Sequence, residues 1–436
     1  MNRRQFFAAS TSLAAASLLT QRTVAANDRV NICVTGVRGR GGGLLQVFAA
    51  LPDVYVKYVC DLDADVLGSR VEAVEKRTGK RPQAIKDYRQ ALDDKGLDAI
   101  VLGTPDHWHA LPTIHGCQAG KDVYVEKPDG HNVLEGLTMV AAARKHGRVV
   151  QLGTQARSAP ELANCMAWLR EGHLGKVRFA KAWESSKQGS IGHVADGEPP
   201  QGFDYDTWLG PAPLRPFNAR RFHGNWRWFF DYGTGDLGND GVHRLDMARW
   251  ALDNALAGEK KPPAGTPTRV SALGGKYYFD DDQEWPDTLM VTYDYAAGYL
   301  LTYEMRVWSA YPLHEEPEGA AVYGDNGYVI LGNNRWRAFD AKGKLLKEEK
   351  RTAPDTLHAQ NFLECMRSRK RPAADLETVG QPSSLLCHLG NAAWRARKTL
   401  QYDAAKNSIV GDSDANRYLV RPQYRKPWIL PKISDV

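Results

Sequence analysis

Apolar and polar positions follow two different periods along the first third of the chain. Short, almost wholly apolar runs at 29–35, 54–60, 98–102, 123–125 and 149–152 read as strands buried on both faces, as in a parallel sheet. Between them, apolar residues recur at helical spacing over 44–51, 66–77, 88–92, 111–119 and 133–146. Strand and helix alternating in this order predict a doubly wound parallel sheet over 27–152. Beyond it the pattern changes. A helix at 161–170 and a strand at 177–185 lead into 186–230, a long stretch rich in glycine, proline and aromatics with no clear period. Such a length is a functional loop or a disordered one, and its aromatic density argues for order. The runs 269–279, 287–295, 299–307, 320–325 and 328–330 read as strands, several of alternating polarity, with hairpin turns at 295–298 and 324–327. Helices at 356–367 and 381–398 close a second domain, 153–436, of α+β class: an open antiparallel sheet with helices on one face.

Composition changes only the surroundings of this picture. The 436 residues suffice for two domains, and 43% apolar with 25% charged residues describe a folded globular chain. The segment 1–26 carries Arg3 and Arg4, then Gln5-Phe6-Phe7, a short apolar run and a small residue, Ala26, before Asn27. It reads as a twin-arginine export signal, the alternative being an ordinary secretory signal with two arginines. The export machinery is then a partner and the bacterial periplasm the expected location. Its removal lowers the formal charge from +6 to about +3, so charge gives nucleic-acid binding no support. No later stretch is apolar enough to anchor the chain in a bilayer. Six cysteines without C-x-x-C spacing mark neither a zinc framework nor a disulfide scaffold.

Candidate chemistry gathers at the ends of the predicted strands. Strand, Gly36-Val37-Arg38-Gly39-Arg40-Gly41 and helix form the context in which backbone N–H groups approach a pyrophosphate. Gly36 and Gly41 occupy the first and third glycine positions of that motif, and Arg38 stands at the second. Asp61 ends the next strand, where a carboxylate accepts ribose hydroxyls and repels a 2′-phosphate. NAD is therefore favoured, although Arg38 or Arg40 could accommodate NADP. Thr104, Pro105, Asp106, His107 and His109 form the loop expected beside the nicotinamide, both histidines donating into the cleft. Metal chelation by the H-x-H pair is disfavoured because no carboxylate or thiol completes a set. No metal is expected. Lys127, between Glu126 and Pro128, ends another strand, and Gln155 follows the last one. Downstream, Asn239, His243 and Asp246 are spaced four and three apart and would share one helical face. An amide holds a hydroxyl but cannot take its proton, so acid–base work falls to His243 or Lys127. Trp226, Arg227, Trp228 and Asp236 are candidates for a substrate wall. The competing reading of the aromatics is a small core that pins the loop.

Together, the glycine turn, V-C-D-L-D, T-P-D-H-W-H and E-K-P-D-G-H-N resemble the Gfo/Idh/MocA family of glucose-fructose oxidoreductase and inositol dehydrogenase, above all its exported members. The resemblance covers 30–250 and, more loosely, the rest. It implies a Rossmann domain and hydride transfer between a tightly bound nicotinamide and a ring hydroxyl of a sugar or glycoside. Lys127 would bond the reacting oxygen, His243 move the proton and Asn239 orient the hydroxyl, where family members often carry aspartate instead. It also implies a homo-oligomer, dimer or tetramer, built on the outer face of the second sheet. Outside the cytoplasm no NADH pool is expected, so the cofactor would be loaded before export and kept. Two other readings share the cofactor: a redox-neutral glycosidase and a non-catalytic carbohydrate-binding accessory protein.

Overall fold

The structure is a computed structural model that describes residues 29–436. The export-signal expectation lies outside the described residues. Six strands, β1 (Val30–Thr35), β2 (Val54–Cys60), β3 (Gln83–Ile85), β4 (Ala99–Leu102), β5 (Asp122–Val125) and β6 (Val150–Leu152), make a parallel sheet in the order β3-β2-β1-β4-β5-β6. Helices α1 (Gly39–Ala49), α2 (Ala64–Thr78), α3 (Arg89–Leu92), α4 (Ala110–Gln118) and α5 (Val133–Lys145) connect them. The strand order reverses between β1 and β4, which opens a crevice beyond their carboxyl ends. Ile32, Val34, Ile100, Val101, Val123 and Val125 are fully buried, as strands covered on both faces require. One boundary is corrected. Helix α1 starts at Gly39, five residues before the apolar period, because residues 39–43 are glycines except for Arg40 and carry no apolar side chain for a period to register.

The second sheet is built from β7 (Val177–Glu184), β8 (Arg269–Gly275), β9 (Thr288–Tyr295), β10 (Tyr299–Arg306), β11 (Glu318–Gly324), β12 (Gly327–Gly332), β13 (Arg335–Asp340), β14 (Leu345–Lys350), β15 (Leu400–Asp403) and β16 (Ser408–Ile409). Both hairpins form at the expected turns. The sheet is open but mixed: β7 and β10 run parallel, and the other pairs are antiparallel. The long connection between these two strands supplies the crossover that a parallel pair needs. Edge strand β14, LLKEEK, escaped the sequence reading because it is charged and mostly exposed, as edges that avoid stray pairing are. Helices α6 (Pro160–Arg170), α8 (Val242–Gly258) and α10 (Gln381–Ala396) cover one face. A one-turn helix, α7 (Tyr205–Leu209), interrupts the aromatic loop.

Helix α9 (Asp355–Ser368) departs from the expected plan, because it docks on the first sheet and not on the second. Phe362 meets Phe48 and Tyr124 edge-on at ring separations of 6.4 and 5.9 Å, and its burial contributes about 1.5–3 kcal/mol. Beside it, His358 places Nε2 2.9 Å from the Leu152 carbonyl oxygen and Nδ1 2.7 Å from Ser158 Oγ. That pattern suits a neutral ring donating to Leu152 and accepting from Ser158. Burial, only partly offset by the Leu152 bond, pulls the imidazole down to about 4. The unfolded chain therefore takes up a proton below pH ~6.5 that the folded chain refuses, and this group's contribution is lost as pH falls. Against a His358→Gln variant, the wild-type advantage in urea unfolding is expected to be about 2 kcal/mol smaller at pH 5 than at pH 7. A pH-independent difference would contradict the neutral buried ring.

All six cysteines are buried and unpaired. Among the described residues no helix is long and apolar enough to cross a membrane.

Candidate active site

A cavity of about 360 Å³ opens at the carboxyl ends of β1, β2, β4 and β5. Gly36, Arg38, Gly39, Arg40, Asp61, Thr104, Pro105, Glu126, Lys127 and Asn239 line it, with Trp226 and Arg227 from the aromatic loop. Its floor explains the glycines. Gly36 has φ +75°, and a Cβ on Gly41 would lie 1.7 Å from the Gly36 carbonyl oxygen, so neither position takes a side chain. A Cβ at Gly39 would meet no protein atom. That open space lies at the first turn of α1, where unpaired N–H groups favour an anion. Asp61 faces the same space, its two oxygens accepting the Val37 and Asp63 N–H groups at 2.8 and 3.0 Å. Burial raises its carboxyl despite those bonds, and ribose hydroxyls would relieve that desolvation. Glycine floor, helix terminus and carboxylate fit a dinucleotide. Val37 is not on the lining: its side chain is buried, its N–H is bonded to Asp61 and its carbonyl to Arg70.

The two arginines of the turn are already engaged. Arg38 pairs with Asp63 at 2.5 Å, and Asp63 also caps α2. Arg40 bridges Glu126 and Asp355 at 2.8 and 2.7 Å. Gln155 lies outside the cavity lining and supports Glu126 at 3.2 Å. Both arginines thus pair with carboxylates while keeping part of their surface exposed.

Lys127 emerges just past β5, and Nζ donates to Asn239 Oδ1 at 2.9 Å. The Asn239 amide in turn donates to Asp236 and Asp240 at 3.1 and 3.0 Å. Residues 112 apart in sequence are thus joined at the cavity wall. Asp236 is not on that wall, contrary to the sequence reading. It is buried beneath Asn239, bonded also to Gln188, with its carboxylate oxygens close to those of Glu184 and Asp240. Burial first, and mutual repulsion second, push Glu184 and Asp236 upward, so the group holds a proton where isolated carboxylates would not. Half-buried His243 is held well below its ordinary value by burial first and then by the positive charges of Lys127, Arg244 and Arg40. It is absent from the cavity lining and stands four residues after Asn239, which is on it.

Several expected cleft residues turn elsewhere. Asp106 is buried and accepts the Thr234 N–H and hydroxyl at 3.1 and 2.7 Å, which ties the first domain to the second. His107 is buried with Nε2 3.0 Å from the Trp208 carbonyl oxygen and Nδ1 3.3 Å from that of Tyr232; burial pulls it down to about 3. His109 bridges the loops after β4 and β5, its nitrogens 2.9 Å from the Thr104 and 2.6 Å from the Pro128 carbonyl oxygens. These three hold the site together from behind, so their polarity is spent on carbonyls and on Thr234. Trp228 is buried in the second core and is likewise no wall residue. Phe217, Phe222 and Phe229 are buried too and off the lining, so for them the small-core reading holds, whereas Trp208 packs in that core and also borders the cavity. Asp246 is off the cavity, buried against Arg157 and Ser383, and a π-helical turn (Leu237–Gly241) that holds Asn239 precedes α8 and breaks the 3.6-residue phase.

Phe203, Thr207, Trp208, His223 and Gly224 arch over the cavity, and Trp428 closes it from the far end of the chain. Aromatic density pointed to the loop. Nothing local marked Trp428, which lies 4.8 Å from Trp108, ring to ring.

Two family profiles match this chain. Residues 181–430 match the oxidoreductase family, C-terminal alpha/beta domain, and 46–154 match the oxidoreductase family, NAD-binding Rossmann fold. A glycosyl hydrolase family 109 protein of Stenotrophomonas maltophilia is 27% identical over 218 residues, 48% of each chain, so this chain spans about half of that relative's length. Among solved structures, aldose-aldose oxidoreductase from Caulobacter crescentus complexed with glycerol gives a TM-score of 0.64 at 16% identity, over 86% of this chain and 99% of that one. The WlbA dehydrogenase from Bordetella pertussis in complex with NADH and UDP-GlcNAcA gives 0.63 at 19%, over the same shares. At these identities the structural likeness is one of fold.

Proposed function

The chain belongs to the Gfo/Idh/MocA oxidoreductase family, and on that premise we propose that it moves a hydride between a tightly held NAD and a ring hydroxyl carbon of a sugar or glycoside. The observation that carries this reading is the Lys127 ammonium fixed by Asn239 on the wall of the dinucleotide cavity. When bound, the nicotinamide supplies the hydride acceptor and donor. Lys127 keeps two N–H groups free of Asn239 and uses them to bond the reacting oxygen as its charge changes. Neutral His243 takes the hydroxyl proton and returns it in reverse. Asn239 spends both amide hydrogens on Asp236 and Asp240, so it positions Lys127 and not the sugar. Trp226 and Arg227 contact the substrate; Arg227 Nε is buried without a partner. The occupied arginines and Asp61 support NAD over NADP.

The Arg3-Arg4 segment supports export, and the aromatic arch supports retention of a cofactor loaded beforehand. The open face of the second sheet, with Leu273, Met290 and Leu300 exposed, supports a dimer. The glycosyl hydrolase family 109 relative favours a second reading, in which the same hydride leaves and returns within one cycle while an aglycone is expelled. Product analysis separates them. The purified protein is expected to carry NAD and to convert an aryl glycoside to a keto-glycoside with the aglycone still attached. Released aglycone with no ketone would establish the second reading, and protein that binds no nucleotide would refute both.

A further inference from the structure

A second cavity, of about 800 Å³, shares no lining residue with the first. It lies among the aromatic loop, α10 and 417–425, and its volume is in the range of small-ligand sites, roughly 300–1,000 Å³. Its lining is basic: Arg395, Arg417, Arg421 and Arg425 against one acid, Asp231. Arg425 is bound by Asp206 and the Gly210 carbonyl. Arg421 donates to the Asp231 carbonyl at 3.2 Å and has Glu135 3.8 Å away, but its buried Nε has no hydrogen-bond partner. Arg417 is exposed, and Arg395 is partly buried with no side-chain hydrogen bond among the described residues.

The carboxylates whose charge reaches Arg395, Asp231 and Glu284, are both taken by Arg215, at 2.9 and 3.1 Å. The rings of Phe230 and Tyr418 lie 4.3 and 4.6 Å from the guanidinium carbon. Ring faces answer its charge but use none of its N–H groups. No carboxylate or carbonyl pairs with it among the described residues, and burial, opposed by Tyr418, Glu284 and Asp231, draws it below its ordinary value. A fixed, planar donor fork facing a basic cavity matches an oxyanion.

We propose that this cavity binds a small anionic metabolite, a carboxylate or phosphate monoester, whose anionic group is gripped by Arg395 with Arg417 and Arg421 beside it. The site is independent of the dinucleotide cavity, so its test uses binding alone.

Calorimetric titration of the full chain with glucuronate, glucose 6-phosphate and glucose reads it directly. One anion or both should saturate at one site per chain, at least about tenfold tighter than glucose, and the stronger arm identifies carboxylate or phosphate. Arg395→Gln should weaken it about tenfold or more, and Lys127→Met should leave it unchanged. Arg417→Gln, at an exposed position, should weaken it about threefold and decides the matter if Arg395→Gln does not fold. Anion binding no tighter than glucose overturns the proposal, as does wild-type affinity in the folded arginine variants.

Discussion

Replacing Lys127 by methionine is expected to lower sugar-dependent turnover about a thousandfold while the protein still binds its nucleotide. The size of the effect follows from where the charge sits. The ammonium makes one protein hydrogen bond, to Asn239, and its remaining donors face a site where negative charge develops on the reacting oxygen. Losing one such donor costs about 2.7–4 kcal/mol, and loss of proton-transfer assistance adds to it. Methionine keeps the length of the stem, and Asn239 remains tethered by Asp236 and Asp240. The pyrophosphate floor, Gly36 to Gly41, is untouched. Turnover measured by nicotinamide absorbance, beside nucleotide content by mass spectrometry, checks both halves. Near-normal turnover removes Lys127 from the chemistry. Equal loss of nucleotide would make it a cofactor-binding residue only.

The largest stability effect is expected at Asp246, not within the cavity. Arg157 donates to both its oxygens, at 2.8 and 2.7 Å, and Ser383 Oγ adds a third bond at 2.7 Å. The pair is almost fully buried, with side-chain exposures of 8% and 1%, and Trp250 stacks on the guanidinium at 4.6 Å. Asp246→Ala leaves that cation in the interior without a counter-charge, which costs about 3–5 kcal/mol. Urea unfolding should show a correspondingly lower midpoint. The double variant Asp246→Leu with Arg157→Met, which removes both charges, should recover most of the loss. If Asp246→Ala instead lowers turnover with stability unchanged, Asp246 belongs to the chemistry, on the face that its spacing from Asn239 and His243 predicts.

That spacing shows where sequence reasoning stopped. The doubly wound sheet was legible because strands covered on both faces must be apolar throughout, and 54–60 was bounded to the residue. Gly36, Gly41 and Asp61 were legible because each fills a backbone or charge requirement local to its turn. Asp106, His107 and His109 were not. Their sequence advertises polarity but not its direction, and the partners that consume it, Thr234, Trp208 and Pro128, arrive from other segments. Asn239 was put on one face with Asp246 because a helical wheel carries no sign of the wide π-helical turn that holds Asn239 ahead of α8. Helix α9 and Trp428 show the same limit at long range: amphipathic spacing predicts that a face is buried, not which sheet buries it.

Hydride transfer to the bound nucleotide can be followed directly. Protein carrying its own NAD is mixed once with a glycoside deuterated at its ring carbons, and the nucleotide is recovered for mass spectrometry. Reduced nucleotide heavier by one deuterium is expected in the wild type and not in Lys127→Met. Nucleotide that stays oxidised and unlabelled with every sugar offered would contradict hydride transfer.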